Sequence, residues 1–105
     1  MRKKLTEVAK RATVITYGDL GAIFGYDMKN PDERNQLYYQ LGEISWAEHD
    51  KRRPLLSSVV VHKDDNMPGG GFFSLAKDAG LMKGNDKDVF FAQELNRLYE
   101  YWRSH

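Results

Sequence analysis

Apolar residues recur at helical spacing along much of the chain, and this pattern predicts five helices separated by turn residues. The first helix covers residues 4–12, where the apolar positions follow an i, i+3, i+4, i+7 spacing: Leu5, Val8, Ala9 and Ala12. Its other face is basic, with five Lys and Arg between positions 2 and 11 against one acid, Glu7. A solvated amphipathic face explains this pattern, and a face that contacts phosphate is the alternative.

Two capped helices follow in close succession. Thr16 is the predicted N-cap of a short second helix, with an acidic residue three positions later and Gly25 at its end. The third helix has the clearest start, because Asn30 can cap it and Pro31 suits its first position. The apolar spacing predicts that this helix ends near residues 48–51.

The pattern changes after Pro54. Residues 55–62 contain three consecutive valines, which favour a β-strand. Residues 63–71 are rich in aspartate and glycine, which favours a loop. Helical spacing returns over residues 72–79 and again over residues 86–103.

The order of these elements predicts one α+β, mostly helical domain over residues 1–105. Two helices joined by a tight turn and followed by a strand and a loop are typical of a winged helix-turn-helix. We therefore expect a winged-helix-like fold with a short β-hairpin or wing. The length of 105 residues fits a single core.

Composition narrows the classes of function. The 16 Lys and Arg nearly balance the 15 Asp and Glu, so an argument for a nucleic-acid partner must come from where the charges lie. The chain has no cysteine, which excludes disulfides, thiolate metal sites and a cysteine nucleophile. No segment predicts a membrane span or a secretory signal, so we expect a cytoplasmic protein without a membrane partner.

The third helix and the residues after it carry the candidate contacts with DNA. A recognition helix here would present Arg34, Gln36 and Tyr39, and guanidinium and amide groups pair bidentately with base edges. Three consecutive cations follow the helix: Lys51, Arg52 and Arg53. They cannot all pack inward, and they would hold phosphates or serve solubility alone. An ordinary polar helix face explains the same residues without DNA.

A glycine-rich segment and two serines border a possible pocket. Successive backbone N–H groups at Gly69 and Gly70, before Phe72, can hold a phosphate, although a flexible turn is the simpler explanation. Ser57 and Ser58 precede the valines, but no histidine stands at a spacing that identifies a catalytic base. No second histidine stands at metal-ligand spacing either. The sequence therefore predicts no catalytic residue, no metal and no cofactor.

Two segments carry a resemblance to a known family. They are Ile15-Thr16-Tyr17-Gly18-Asp19-Leu20 and Val59-Val60-Val61-His62 with the glycines that follow. Over most of residues 13–80 the chain resembles the DNA-binding domain of alkylguanine-DNA alkyltransferases and alkyltransferase-like proteins. In that family a threonine-tyrosine-glycine segment opens a helix-turn-helix, and an active-site segment, valines, a glycine-rich wing and closing helices follow.

The resemblance implies roles for individual positions. Tyr17 matches the family tyrosine that lies near the DNA phosphate and the flipped nucleotide. Ser57 and Ser58 fall at or near the cysteine and the histidine of the active-site segment. The positions that match glycines and an aromatic residue lining the base pocket are Gly69, Gly70 and Phe72.

Two departures change what the resemblance implies. Without the cysteine no thiolate exists to accept an alkyl group, so alkyl transfer is chemically excluded. Tyr39 occupies the place of the family's intercalating arginine, and Arg34 lies about one helical turn upstream. We therefore expect a non-enzymatic DNA-binding protein. The alternatives are a protein-interaction module on the same scaffold, for example phage- or defence-associated, and a small-ligand or nucleotide-binding domain.

Overall fold

The chain forms five α-helices, one 3₁₀ helix and two short strands in the computed structural model, which describes residues 1–105. In chain order the elements are α1 (Arg2–Lys10), β1 (Ile15–Thr16), α2 (Tyr17–Ile23), α3 (Pro31–Asp50), a 3₁₀ helix (Leu56–Val59), β2 (Val60–Val61), α4 (Gly70–Asp78) and α5 (Lys87–Arg103). The predicted α+β, mostly helical fold is confirmed. None of the five helices combines the length and apolar character needed to cross a membrane.

Side-chain caps fix the starts of α2 and α3 where the sequence predicts them. The Thr16 hydroxyl accepts a hydrogen bond from the N–H of Asp19 at 3.1 Å. The Asn30 side-chain oxygen accepts one from the N–H of Asp32 at 2.9 Å, and Pro31 occupies the first helical position. These bonds satisfy backbone donors that the first turn leaves without an intrahelical partner. Local sequence alone therefore sets where both helices begin.

The valine segment departs from the predicted fold. Instead of a strand over residues 55–62, the chain forms the 3₁₀ helix and then two extended residues. Val60 and Val61 pair in parallel with Ile15 and Thr16 of β1. Because the strands of a hairpin are antiparallel, the predicted β-hairpin is not present. The valines are fully buried, so the run reflects burial in the core rather than a long strand.

Two apolar clusters form the core. The larger cluster packs four helices around the 3₁₀ helix. Its fully buried leucines are Leu5, Leu20, Leu37, Leu56 and Leu98. The smaller one joins α4 to the start of α5 and contains Leu55, Phe72 and Phe73. Residues of both clusters border the cavity described next.

Candidate functional site

A cavity of about 200 Å³ opens between the two apolar clusters. Aromatic rings form much of its wall: Tyr17, Tyr38, His62 and Phe72. No Asp, Glu, Lys or Arg lines it. Its volume lies below the roughly 300–1,000 Å³ of pockets for drug-sized ligands, so it suits a group of one ring or two fused rings.

Tyr17 connects the two sides of this cavity. It is buried at the start of α2, and its hydroxyl accepts a hydrogen bond from the N–H of Gly69 at 2.8 Å. Its ring meets the ring of Tyr38 edge-on at 5.3 Å and lies 4.5 Å from the imidazole of His62. Burial raises the pKa of Tyr17, although the hydrogen bond from Gly69 acts in the opposite direction. The hydroxyl therefore keeps its own proton at neutral pH.

Gly69 allows the backbone to approach these two rings closely. A Cβ atom at this position would lie 3.1 Å from His62 Nε2 and 3.4 Å from the Tyr17 hydroxyl oxygen. Gly70 and Gly71 then begin α4 and line the cavity. Their N–H groups have no intrahelical partner, as is general for the first turn of a helix. The glycines therefore bring backbone donors to the edge of the cavity.

Ser57 contributes a hydroxyl to the buried part of the lining. Its Oγ lies 2.6 Å from the Oγ of Ser45, and its N–H donates to the same Ser45 oxygen at 3.0 Å. Ser58 is fully buried, and its hydroxyl donates to the carbonyl of Leu55 at 2.7 Å. Of the residues predicted to border a pocket, Ser57, Gly69, Gly70 and Phe72 thus lie around one cavity, and Ser58 does not reach it.

Gln36 and Tyr39 lie together on the outer face of α3 and do not line the cavity. They border a shallow hollow with Asp32, Asn35 and Gln40. Tyr39 is 68% exposed, and the carboxylate of Glu43 raises the pKa of its hydroxyl. Tyr38, the residue before it, lines the cavity, so α3 presents one tyrosine to each place.

The remaining predicted DNA contacts form two groups, Arg34 and residues 51–53, that lie far apart. The Arg34 guanidinium donates to the carbonyl of Met28 at 3.4 Å, at the start of α3. Lys51, Arg52 and Arg53 follow the end of the same helix, whose 20 residues span about 30 Å. The longest dimension of the molecule is 32 Å. Arg34 and the three cations therefore lie at opposite ends of the domain.

Glu48, near the C-terminal end of α3, pairs with two of the nearby cations, Arg2 and Arg53. Its carboxylate is 1% exposed, accepts a hydrogen bond from Arg2 Nε at 2.6 Å and accepts another from Arg53 Nε. This shared partner joins the basic face of α1 to residues 51–53, and it raises the pKa of Arg53. Lys51 and Arg52 form no ion pair, so they are free to meet an external anion.

Sequence reasoning missed the cavity roles of several residues. Tyr38, Leu41 and Gly42 follow an i, i+3, i+4 spacing on α3, and this spacing could have shown that they share a face. His62 belongs to a segment that carries the family resemblance, but its position beside Tyr17 depends on contacts far apart in sequence and was not predicted.

Comparisons with family models, curated proteins and solved structures find no match for this chain. Its function is therefore inferred from the chemistry of the cavity and of the surfaces beside it.

Proposed function

We propose that this protein binds nucleic acid without catalysing a reaction and takes one unpaired base into the cavity. The observation that carries the proposal is a small cavity with aromatic walls, to which α3 contributes Tyr38, while another face of the same helix carries Gln36 and Tyr39. Proteins that hold an extruded base enclose it in a close-fitting pocket and stack it against aromatic or apolar side chains. The size and lining of the cavity suit that task.

Tyr38 and Phe72 have complementary roles in the proposed site. Phe72 is buried and forms a fixed wall, while Tyr38 is 37% exposed, so its ring is accessible to a base from solvent. Stacking a base on an aromatic side chain contributes about 1–3 kcal/mol. The two rings therefore supply most of the affinity for the base.

The strand that carries this base lies along α3 in the proposal. Gln36 and Tyr39 contact it on the outer face of the helix, and the free N–H groups of Gly70 and Gly71 meet a phosphate. In this arrangement α2 and α3 act as the helix-turn-helix pair, and residues 62–69 take the place of the wing. Asp32 and Glu43 on α3 repel phosphates, so we expect modest affinity at physiological salt.

A titration with matched variants tests this proposal. The ligand is a fluorescent duplex with one unpaired thymine, and binding is followed by anisotropy. Tyr38→Ala removes a cavity wall, and we expect it to weaken binding by about 5- to 100-fold. Tyr39→Ala changes the neighbouring tyrosine outside the cavity and should weaken binding less. Equal losses for the two variants, or no binding by the wild type at low salt, would contradict the proposal.

A second candidate function is that of a protein-interaction module. Tyr39 and Trp46 are both exposed on α3, at 68% and 38%, and aromatic side chains of this kind are enriched at protein interfaces. A pull-down from nuclease-treated lysate would favour this function if it recovers one stoichiometric protein. Capture should then be lost in Trp46→Ala and retained in Tyr38→Ala.

A further inference from the structure

We infer that Ser57 presents a hydrogen-bond donor to the cavity, and that the site selects a base with a carbonyl oxygen at the edge it buries. Uracil, thymine, guanine and hypoxanthine carry such an oxygen, whereas cytosine and adenine carry an amino group at that position. The inference rests on the proposed function, because it specifies which base the cavity holds.

The buried serine pair has one proton more than it can use. Ser45 is fully buried and Ser57 is 7% exposed, and their hydroxyl oxygens lie 2.6 Å apart. Each hydroxyl carries one proton, but only one of the two can occupy the bond between the oxygens. The other proton must find an acceptor elsewhere or remain unpaired.

The surroundings of the pair decide which proton is left over. If Ser57 donated to Ser45, the Ser45 proton would be buried without an acceptor, because the Ser45 hydroxyl oxygen forms hydrogen bonds only with the hydroxyl and the N–H of Ser57. An unpaired buried donor destabilises a protein appreciably. If Ser45 donates to Ser57, the free proton belongs to Ser57, which lines the cavity. A ligand oxygen can then accept it.

The other polar groups around the cavity agree with this assignment. The Tyr17 hydroxyl accepts from Gly69 and has its own proton left to donate. No carboxylate lines the cavity to accept from an amino group. The imidazole of His62 carries one donor and one acceptor nitrogen when neutral, so it favours neither kind of base. An amino group could still donate to the second lone pair of Ser57, but the Ser57 proton would then stay unpaired. The lining therefore favours an oxygen acceptor on the base.

Two pairs of bases test the preference for a carbonyl oxygen over an amino group. Each base is placed as the one unpaired base of a duplex. Uracil and cytosine differ at one exocyclic group and the adjacent ring nitrogen, and so do hypoxanthine and adenine. By anisotropy we expect the wild type to bind the uracil and hypoxanthine duplexes about tenfold more tightly than their amino counterparts. Equal affinities, or tighter binding of the amino bases, would overturn the inference.

Serine variants connect the preference to one hydroxyl. Ser57→Ala should reduce the preference in both pairs to near onefold, while Ser58→Ala should keep it, because Ser58 donates to the backbone outside the cavity. A Ser57→Ala protein that folds and keeps the preference would overturn the inference. If Ser57→Ala does not fold, the wild-type ratios still decide.

An abasic duplex separates this inference from the proposed function. If the wild type binds oxo and amino bases equally, and both more tightly than an abasic residue at the same place, the cavity holds a base but Ser57 does not select it. If the abasic duplex binds as tightly as the others, the proposed function itself fails.

Discussion

The Tyr17 hydroxyl accepts a hydrogen bond from the backbone N–H of Gly69 at 2.8 Å, across 52 positions of the chain. This bond joins the first residue of α2 to the N-cap of α4. It holds together two sides of a cavity that no single element of the fold could form. Its loss should therefore affect both the stability of the domain and the shape of the site.

Tyr17→Phe removes the acceptor and leaves the Gly69 N–H unpaired. We expect the free energy of unfolding to fall by about 1–2 kcal/mol, measured by urea denaturation. Tyr99→Phe is the matched control, because the Tyr99 hydroxyl donates to the exposed carbonyl of Thr13 at 2.8 Å. Because water can replace that bond, Tyr99→Phe should lower the free energy of unfolding less than Tyr17→Phe does. Equal losses in the two variants would contradict the role given to the Tyr17 bond.

Because Arg2 and Arg53 share the Glu48 carboxylate, we expect substitutions of the two arginines to have non-additive effects on the free energy of unfolding. Arg53→Met alone leaves Arg2 on the buried carboxylate, and we expect a loss of about 1 kcal/mol in the free energy of unfolding. Arg2→Met together with Arg53→Met leaves Glu48 buried without a partner, and the expected loss is about 3–5 kcal/mol. Urea denaturation of both single variants and the double variant measures the coupling. Losses that simply add would contradict this account of the cluster.

Substitution of Gly42 should change the stability of the domain and its binding of the duplex in opposite directions. A Cβ at this position would lie 4.0 Å from Leu75 Cδ1, which is ordinary contact, so Gly42→Ala should fit inside α3. We expect it to raise the free energy of unfolding by about 0.5–1 kcal/mol, because alanine favours the helix. The same methyl group enters the cavity and should weaken binding of the bulged duplex. A variant that is more stable and binds as well as the wild type would contradict the position of the binding site.

Alkaline pH should weaken the domain through Tyr17. Burial raises its pKa above the ordinary value of about 10, so the folded state holds this proton more tightly than the unfolded state does. The stability that depends on the proton is complete below about pH 10 and is lost as the pH rises through the folded pKa. Denaturation at a series of pH values should show a steeper alkaline decline in the wild type than in Tyr17→Phe. Identical slopes would contradict the shift.

The sequence predicts the parts of this fold that local chemistry controls. Asn30 and Pro31 set the start of α3, because a cap needs only neighbouring residues. The parallel pairing of Ile15 with Val60 was missed, since nothing in either segment specifies a partner 45 positions away. Three valines in a row favour a strand and a buried core segment equally well, so the 3₁₀ helix could not be predicted from them.

The candidate site also has parts that local sequence predicts and parts that depend on contacts between distant residues. The glycines and Ser57 could be proposed from local chemistry and from the family resemblance, and they do lie around one cavity. The carboxylate of Glu48 looks solvent-exposed in sequence, because its partner Arg2 lies 46 positions away. A combined surface of Arg34 with residues 51–53 does not form, because the length of α3 separates them.

Two duplexes that differ in one base give the sharpest test of base binding in the cavity. One carries a single unpaired uracil, and the other carries an abasic residue at the same place, so that their phosphates are identical. Stacking in the cavity predicts that the wild type binds the uracil duplex about tenfold more tightly or better in an anisotropy titration. Equal dissociation constants would show that the protein holds the backbone alone, and they would contradict the assignment of the cavity as a base-binding site.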